Sequence, residues 1–318
     1  MALRPVSSKT TDGLEGHAQE ALATSATGAR EVPAIRANRF ASWRYLVAPV
    51  LAATTLGVVI IAAVLAPWIA PHGANDPNFS STLRPPAWMP GGTSTYLLGT
   101  DRFGRDVLSR ILYGAKYSLL VASITIGLAA AIGTAVAVVA GYLGGIVDLV
   151  LMRITDLMLS LPLILVALVL VTLSRPSFGN VILILTLFLW TQFARQLRAE
   201  VLVLRDRPFV VLARVAGRSP IAIMLRHILP NISNTLLVVT TLQVGWVIIL
   251  ESSLSFLGVG LPPPTPAWGL MVADGRDILD TAWWVSLFPG LAIGITVLGV
   301  NLLGDWLRDY LDPRTQTL

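Results

Sequence analysis

The sequence contains no cysteine, and its three histidines lie far apart along the 318 residues. Disulfides, thiolate chemistry and cysteine-ligated metals are therefore excluded, and the histidine spacing predicts no metal site. Charged residues are scarce as well, at 13% of the chain, whereas soluble domains contain about a quarter. Hydrophobic residues make up 54%, which would leave the surface of a soluble fold too apolar for water. These features together predict an integral membrane protein.

A phosphate-binding loop is also missing from the sequence. It would require Gly-x-x-x-x-Gly-Lys-Ser/Thr, and neither lysine of the chain, Lys9 or Lys116, lies in that pattern. The sequence shows no acid–base or nucleophile cluster either, so we predict that the chain is not an enzyme and does not hydrolyse ATP itself. The net charge of +5 would suggest nucleic acid for a soluble protein, but here the arginines flank apolar segments. No nucleic-acid partner is expected.

Long windows without charge predict the membrane-spanning helices, because about 20 apolar residues are needed to cross about 30 Å of hydrocarbon. We predict an all-α integral membrane fold with about six transmembrane helices. Their predicted ranges are Leu46–Ile69, Tyr117–Gly141, Leu157–Ser174, Val181–Phe193, Ile228–Leu250 and Ala282–Leu303. A seventh window, Ser252–Ala273, contains four prolines. It is predicted to be an ordered outer loop, because lipid cannot satisfy a backbone that prolines have broken.

Few polar residues interrupt these windows. Gln192, Asn234 and Gln243 are predicted to form interhelical hydrogen bonds or to line a translocation path. The cores of the predicted spans contain no ionisable residue, and Glu251 falls just after the fifth window. Ion-coupled secondary transporters usually place an ionisable group within the membrane, so this class is the less favoured alternative.

The distribution of basic residues predicts the orientation and the domain organisation. We predict a multi-pass protein of the cell membrane. Arginines concentrate in the segments on the same side of the membrane as the two termini, and the positive-inside rule therefore predicts that both termini are cytoplasmic. We predict a disordered cytoplasmic tail at 1–43, followed at 44–116 by the first transmembrane helix, an extracytoplasmic loop and an amphipathic helix. A core of five transmembrane helices at 117–307, with a cytoplasmic coupling loop at 195–228, precedes a cytoplasmic tail at 308–318.

The segment between the fourth and fifth predicted spans, residues 205–231, is named the elbow. Asp206 is predicted to cap a helix with Pro208 in its first turn, and Gly217 is predicted to end that helix in a left-handed conformation. Ser219 is then predicted to cap a second helix, which Pro220 begins. Two interpretations fit this pattern: an amphipathic connector in the lipid headgroups, or a docking helix that fits a groove on a cytoplasmic partner.

A further amphipathic helix is predicted at Phe103–Tyr113, before the second span. Its apolar and charged side chains fall on opposite faces, and Thr100 or Asp101 can cap it. We expect this helix to lie in the outer membrane interface.

Several stretches, in this order along the chain, resemble the DppC/OppC branch of binding-protein-dependent ABC importer permeases, the dipeptide, oligopeptide and nickel permease family. They are LLGTDRFGRDVLSRILYGAKYSL (Leu97–Leu119), GYLGGIVDLVLMRITD (Gly141–Asp156), ESSLSFLGVGLPPPTPAWGLMVADGR (Glu251–Arg276), FPGLAI (Phe288–Ile293) and NLLGDWLRDYLDPR (Asn301–Arg314). The elbow, whose glycine is followed by RHILPN, resembles the EAA loop of these permeases. The family's Glu-Ala-Ala falls on Val211, Leu212 and Ala213 in this chain, so the acidic residue is missing.

The resemblance implies a type I, MetI-like importer permease that forms half of a translocation path for short peptides and works by alternating access. Nickel, glutathione or another small solute is the alternative substrate. The chain itself would bind no cofactor, because ATP and Mg²⁺ would be held by two partner ATP-binding subunits or domains. The other implied partners are a second, DppB/OppB-like permease subunit, an extracytoplasmic substrate-binding protein and the lipid bilayer.

The resemblance also implies two groups of functional residues. Those that would couple the chain to the ATPase are Pro208, Phe209, Val210, Val211, Leu212, Ala213, Arg214, Gly217, Ser219 and Pro220. Those that would form an extracytoplasmic gate or contact the binding protein are Asp101, Arg105, Asp106, Arg110, Glu251 and Trp268.

Overall fold

Helices form the regular structure in the part of the chain that the computed structural model describes, which is residues 39–173 and 175–311. The chain divides into two units, Met1–Arg44 and Tyr45–Leu318, and the packing of the helical bundle lies within the second. Of the two predicted tails, residues 1–38 and 312–318 lie outside the described residues. Contrary to the predicted tail boundaries, residues 39–43 belong to the first helix and residues 308–311 to the last.

Five helices are long and apolar enough to cross a membrane. They are α1 (Arg39–Ile69), α2 (Val107–Leu143), α5 (Phe178–Arg205), α8 (Ser233–Phe256) and α11 (Trp284–Leu311). The shorter helices are α3 (Gly145–Ser160), α4 (Leu163–Leu173), α6 (Pro208–Val215), α7 (Pro220–Ile223), α9 (Trp268–Arg276) and α10 (Leu279–Ala282). A 3₁₀ turn lies at Phe79–Ser81, and a π-helical segment at Met224–Ile228 follows α7.

The predicted third span is a bent pair of helices instead of one straight helix. α3 and α4 meet at a bend of 84°. The bend lies at Leu161 and Pro162, because proline lacks an N–H and forces the preceding residue into extended backbone; Leu161 has φ −85° and ψ 130°. The 11 residues of α4 rise only about 16 Å, which is too short to cross the hydrocarbon alone.

The direction of the neighbouring helices shows what the bent pair does. α2 packs closely along α5: a Cβ added to Gly133 would lie 2.4 Å from the carbonyl oxygen of Trp190, and Gly141 faces Val201. Residue numbers rise together in these two contacts, so α2 and α5 run parallel. The chain must return across the bundle between them, and α3 with α4 therefore makes the sixth crossing.

The prediction of a separate amphipathic helix at Phe103–Tyr113 is wrong. From residue 107 onward this segment forms the first turns of α2, which begins well before the predicted span. The cap is Asp106, whose carboxylate accepts a hydrogen bond from the Ser109 N–H at 3.1 Å, and not Thr100 or Asp101. The apolar window begins later than the helix because charged side chains interrupt hydropathy without interrupting the backbone hydrogen bonds.

The seventh window, Ser252–Ala273, contains a shorter loop than predicted. α8 continues to Phe256, the four prolines lie within residues 257–267, and α9 begins at Trp268. Only the middle of the predicted loop is therefore correct. The extension of α8 places Glu251 inside a long apolar helix, about 8 Å from its end. The fifth predicted window ends at Leu250, one position too early to include this residue.

Candidate functional site

The elbow contains two short helices that meet at a glycine turn. α6 ends in a Schellman motif, in which Arg218 N–H donates to the Ala213 oxygen and Gly217 N–H donates to the Arg214 oxygen, both at 3.1 Å. Gly217 has φ +75°, a left-handed conformation that glycine adopts without strain. The predicted turn at Gly217 is therefore present.

The two elbow helices begin differently. Ser219 caps α7 as predicted, since its hydroxyl accepts a hydrogen bond from the Ala222 N–H at 3.3 Å. The predicted cap of α6 by Asp206 is wrong. Arg207 occupies the cap position and makes no side-chain cap hydrogen bond. Asp206 is exposed, and its carboxylate pairs with the guanidinium of Arg205 at 3.6 Å.

α6 has one buried face and one exposed face, and both present apolar side chains. Val210 and Ala213 are buried in a cluster with Val138 of α2 and Val201 of α5. The exposed side chains are Phe209, Val211, Leu212 and Val215, with exposed fractions of 40%, 41%, 67% and 80%. Four exposed apolar side chains on one eight-residue helix form a surface that a protein groove or the acyl boundary of a membrane would cover.

Charged side chains make two contacts at the elbow end of the bundle, one from the elbow and one between neighbouring helices. The guanidinium of Arg214 lies 5.6 Å from the centre of the Tyr142 ring, near the end of α2. Arg198 of α5 forms a bidentate ion pair with Asp148 of α3. The sequence did not reveal the Arg198–Asp148 pair, because 50 positions separate its members and no local spacing marks it.

A charged network lies at the opposite end of the bundle, and we name it the Asp101 cluster: the buried Asp101, Arg105 and Arg110 with the half-buried Asp274. Asp101 accepts a hydrogen bond from Arg105 Nε at 2.6 Å, and its carboxylate lies 3.8 Å from Arg110 Nε. Arg105 Nη2 lies 3.7 Å from the Asp274 carboxylate. Burial raises the pKa of Asp274, and the charges of Arg110 and Arg105 oppose that rise. The cluster joins α2 to α9, and Asp274 is the member that sequence reasoning did not single out.

A cavity of about 480 Å³ adjoins the Asp101 cluster. Arg105, Arg110 and Asp274 line it with charge, while Phe79 and Phe103 line it with aromatic rings. The guanidinium of Arg105 also lies 4.6 Å from the centre of the Phe103 ring. The arrangement suits a group that offers both an apolar surface and a charge.

The three remaining residues predicted for the gate or for partner contact are buried within the chain. Asp106 caps α2. Glu251 is 1% exposed and accepts a hydrogen bond from Ser255 Oγ at 2.7 Å. Trp268 is 2% exposed, and its indole donates to the Ile111 oxygen at 2.9 Å. In this conformation these side chains hold elements of the bundle together and do not face a partner.

The residues predicted for the translocation path do not converge on these cavities. Gln192 of α5 and Gln243 of α8 are half-buried, and Asn234 of α8 is exposed. None of the three lines the cavity beside the Asp101 cluster, or an apolar cavity of about 460 Å³ between α2 and the elbow. Their role in the path stays a prediction.

Comparison with known proteins places this architecture in a family. Residues 107–317 match the family described as "Binding-protein-dependent transport system inner membrane component". The chain is 44% identical over 257 residues to the dipeptide transport system permease protein DppC of Escherichia coli K12, covering 81% of this chain and 86% of that protein. It is 39% identical to the DppC protein of Haemophilus influenzae over 81% of this chain and 87% of that protein. It is 37% identical to the di/tripeptide transport system permease protein DppC of Pseudomonas aeruginosa, over 81% of this chain and 85% of that protein.

The matched region contains α2 to α11, and therefore both the elbow and the α9 part of the Asp101 cluster. The resemblance to DppC-type importer permeases is confirmed. Family membership, and not the charge content of the spans, decides against an ion-coupled secondary transporter. The chain belongs to the family of inner membrane components of binding-protein-dependent transport systems.

Proposed function

We propose that this chain is a permease subunit that forms half of the translocation path of an ATP-driven importer of short peptides. The observation that carries this proposal is the similarity, over more than four-fifths of each relative, to permeases named for dipeptide and di/tripeptide transport. These names favour peptides over nickel or glutathione. The packed membrane-spanning helices of the bundle are compatible with alternating access, in which such helices reorient around the translocation path.

The elbow is the proposed contact with the ATP-binding partner. Its exposed apolar face supports a groove-filling contact, and Val210 with Ala213 anchors that face to α2 and α5. Val211, at the position of the family's glutamate, is 41% exposed. A salt bridge from this position is impossible, so apolar contact with the partner replaces it. ATP and Mg²⁺ belong to two such partners, one of which docks on this chain and one on a second, homologous permease subunit.

The proposed orientation places the elbow and both termini in the cytoplasm. α8 starts at the elbow and α11 runs antiparallel to it, because Gly245 faces Asn301 whereas Gly304 faces Leu242. α11 therefore ends on the elbow side of the bundle, and the arginine-rich elbow satisfies the positive-inside rule there. The Asp101 cluster then lies outside, where an extracytoplasmic binding protein delivers the substrate.

Cross-linking tests the docking contact, because the chain has no native cysteine. A cysteine replacing Leu212, which is 67% exposed, should cross-link to the co-expressed ATP-binding subunit. A cysteine replacing Val210, which is fully buried two positions away, is the matched control and should not. Cross-links from Leu212→Cys to lipid alone would contradict the proposal and support a connector in the headgroups.

Uptake of labelled peptides tests the substrate. Cells that express the complete importer should accumulate labelled di- and tetrapeptides, and cells that lack this chain should not. Labelled nickel serves as the competing substrate in the same cells. Accumulation of nickel without accumulation of peptide would refute the peptide assignment.

A further inference from the structure

Glu251 of α8 is 1% exposed, although neither the elbow nor the Asp101 cluster requires a carboxyl group at that position. The side chain is already buried within this chain alone, and assembly with other subunits can only reduce its exposure further. One carboxyl oxygen, Oε1, accepts a hydrogen bond from Ser255 Oγ at 2.7 Å. The other, Oε2, has no hydrogen-bond partner among the described residues. The carboxyl group is therefore buried and only half satisfied.

Hydroxyl groups of two helices surround this carboxyl group. Ser118 of α2 and Ser252 of α8 direct further hydroxyl groups toward the Glu251 carboxyl group, and the Oγ atoms of both are buried with no other hydrogen-bond partner in the described part of the chain. Ser255 also accepts a hydrogen bond from the Leu261 N–H at 3.3 Å. The site is thus a junction where α2, α8 and the proline loop at 257–267 meet.

No positive charge compensates the carboxyl group in the described structure. Glu251 is the one ionisable residue of α8, and neither loop 257–267 nor the α11 segment 284–304 contains any. The ionisable residues on the other packed helices are Arg110, Tyr113, Lys116 and Tyr117 of α2, Asp274 and Arg276 of α9, and those of α5 from Arg195 onward. Arg110 pairs with Asp101, Lys116 and Arg276 are exposed, and the α5 charges lie near the elbow.

We propose that Glu251 is a neutral carboxylic acid in this conformation and acts as a proton-binding group at the α2–α8 junction. An ionised carboxylate would be almost fully buried with no counter-ion and with only serine hydroxyl groups to compensate its charge, which disfavours the charged form. The neutral acid keeps the Ser255 hydrogen bond and avoids the buried charge.

The consequence for transport rests on the proposed function. An alternating-access permease passes through conformations in which its helices separate, and a conformation that admits water to the α2–α8 junction would let Glu251 ionise. The proton is then released to water, and closure of the junction takes a proton back from water. By linkage, raising the pH favours the open junction and lowering the pH favours the closed one, by at most about tenfold per pH unit for one proton.

Infrared spectroscopy of the assembled importer in lipid tests the protonation state without any transport. At neutral pH the wild type should show the carbonyl stretch of a protonated carboxyl group, and the isosteric Glu251→Gln variant should lose it. Asp156→Asn, which changes a carboxylate with 52% side-chain exposure, should retain the band. Ser255→Ala keeps the carboxyl group but removes its hydrogen bond, so the band should move to higher frequency. A wild-type spectrum unchanged by Glu251→Gln would overturn the proposal.

The pH profile of ATP hydrolysis tests the linkage to the transport cycle. Wild type and Glu251→Gln are compared with the binding protein and a saturating dipeptide present. The ratio of their rates should change with pH, by up to about tenfold per unit, because only the wild type exchanges a proton at the junction. Parallel profiles would overturn the linkage while leaving the infrared result intact. If the wild type takes up no peptide at any pH, the peptide assignment is refuted instead. Failure of the proton linkage and failure of the proposed function are therefore distinguishable.

Discussion

Substitution of Gly217 gives the sharpest test of the elbow as the mechanical link to the ATP-binding partner. A Cβ added to Gly217 would meet no atom within 4 Å, so steric exclusion does not oppose a side chain there. The φ of +75° does oppose it, because a left-handed conformation costs an L-residue about 1–2 kcal/mol. The expected penalty is smallest for asparagine, intermediate for alanine and largest for valine, whose branched Cβ disfavours positive φ most.

The penalty acts on a turn that two hydrogen bonds close. A loss of about 1–2 kcal/mol lowers the ratio of formed to unformed turn by about 5- to 30-fold. We therefore expect the stimulation of ATP hydrolysis by binding protein and dipeptide to fall from glycine through asparagine and alanine to valine at position 217. Basal ATP hydrolysis, which we propose the partner subunit performs, should change less. The assay is steady-state hydrolysis by the complete importer in lipid vesicles.

Gly258 provides the matched control, since it has φ +80° and an added Cβ would also meet no atom within 4 Å. Gly258→Val introduces the same backbone strain in the loop after α8, at the other end of the bundle. It should lower the melting temperature without selectively uncoupling hydrolysis from peptide. Equal stimulation across the Gly217 series, or equal uncoupling by Gly258→Val, would refute the assignment of the elbow as the link.

Two further predictions concern the packing that supports the elbow. Asp148→Asn should destabilise the detergent-solubilised protein by about 1–3 kcal/mol, because it breaks a bidentate, charge-assisted pair with Arg198. Thermal melting measures this change. The control is Asp156→Asn, which breaks an exposed pair and should cost at most about 1 kcal/mol of stability. Equal losses of stability in the two variants would contradict the reasoning. Gly133→Ala should lower folded yield and melting temperature, because its Cβ would lie 2.4 Å from a backbone oxygen of α5. Gly127→Ala on the same helix, with no atom within 4 Å, should instead be neutral or stabilising by up to about 1 kcal/mol, and the same loss in both variants would show that helix contact is not the cause.

Features that depend on contiguous residues were predicted well. The glycine turn at Gly217 and the Ser219 cap follow from local backbone chemistry, which needs no distant partner. The predicted cap of α6 by Asp206 is wrong, and the reason is again local. Asp206 is the residue at which α5 ends, so Arg207 takes the cap position of α6, and propensity at one position does not reveal where the preceding helix ends.

Helix boundaries were predicted less well where the ends of an apolar window differ from the ends of the backbone helix. α2 begins at Val107, directly after the Asp106 cap and ten residues before its charge-free window. Arg110 of these first turns pairs with Asp101, and the backbone there still forms helix hydrogen bonds. Pro162 shows the converse. The apolar window runs through it without interruption, yet the backbone bends by 84° there.

The sequence by itself determined that this protein crosses the membrane, which family it resembles and where its elbow turns. Length, hydropathy and short motifs encode these properties in neighbouring residues. Only the tertiary structure decided which charges meet, that α3 and α4 form one bent crossing, and that the pair Arg198–Asp148 ties α5 to α3. It also decided that Glu251 is buried without a counter-ion, because burial and pairing depend on residues that lie far apart along the chain and come together only when the helices pack.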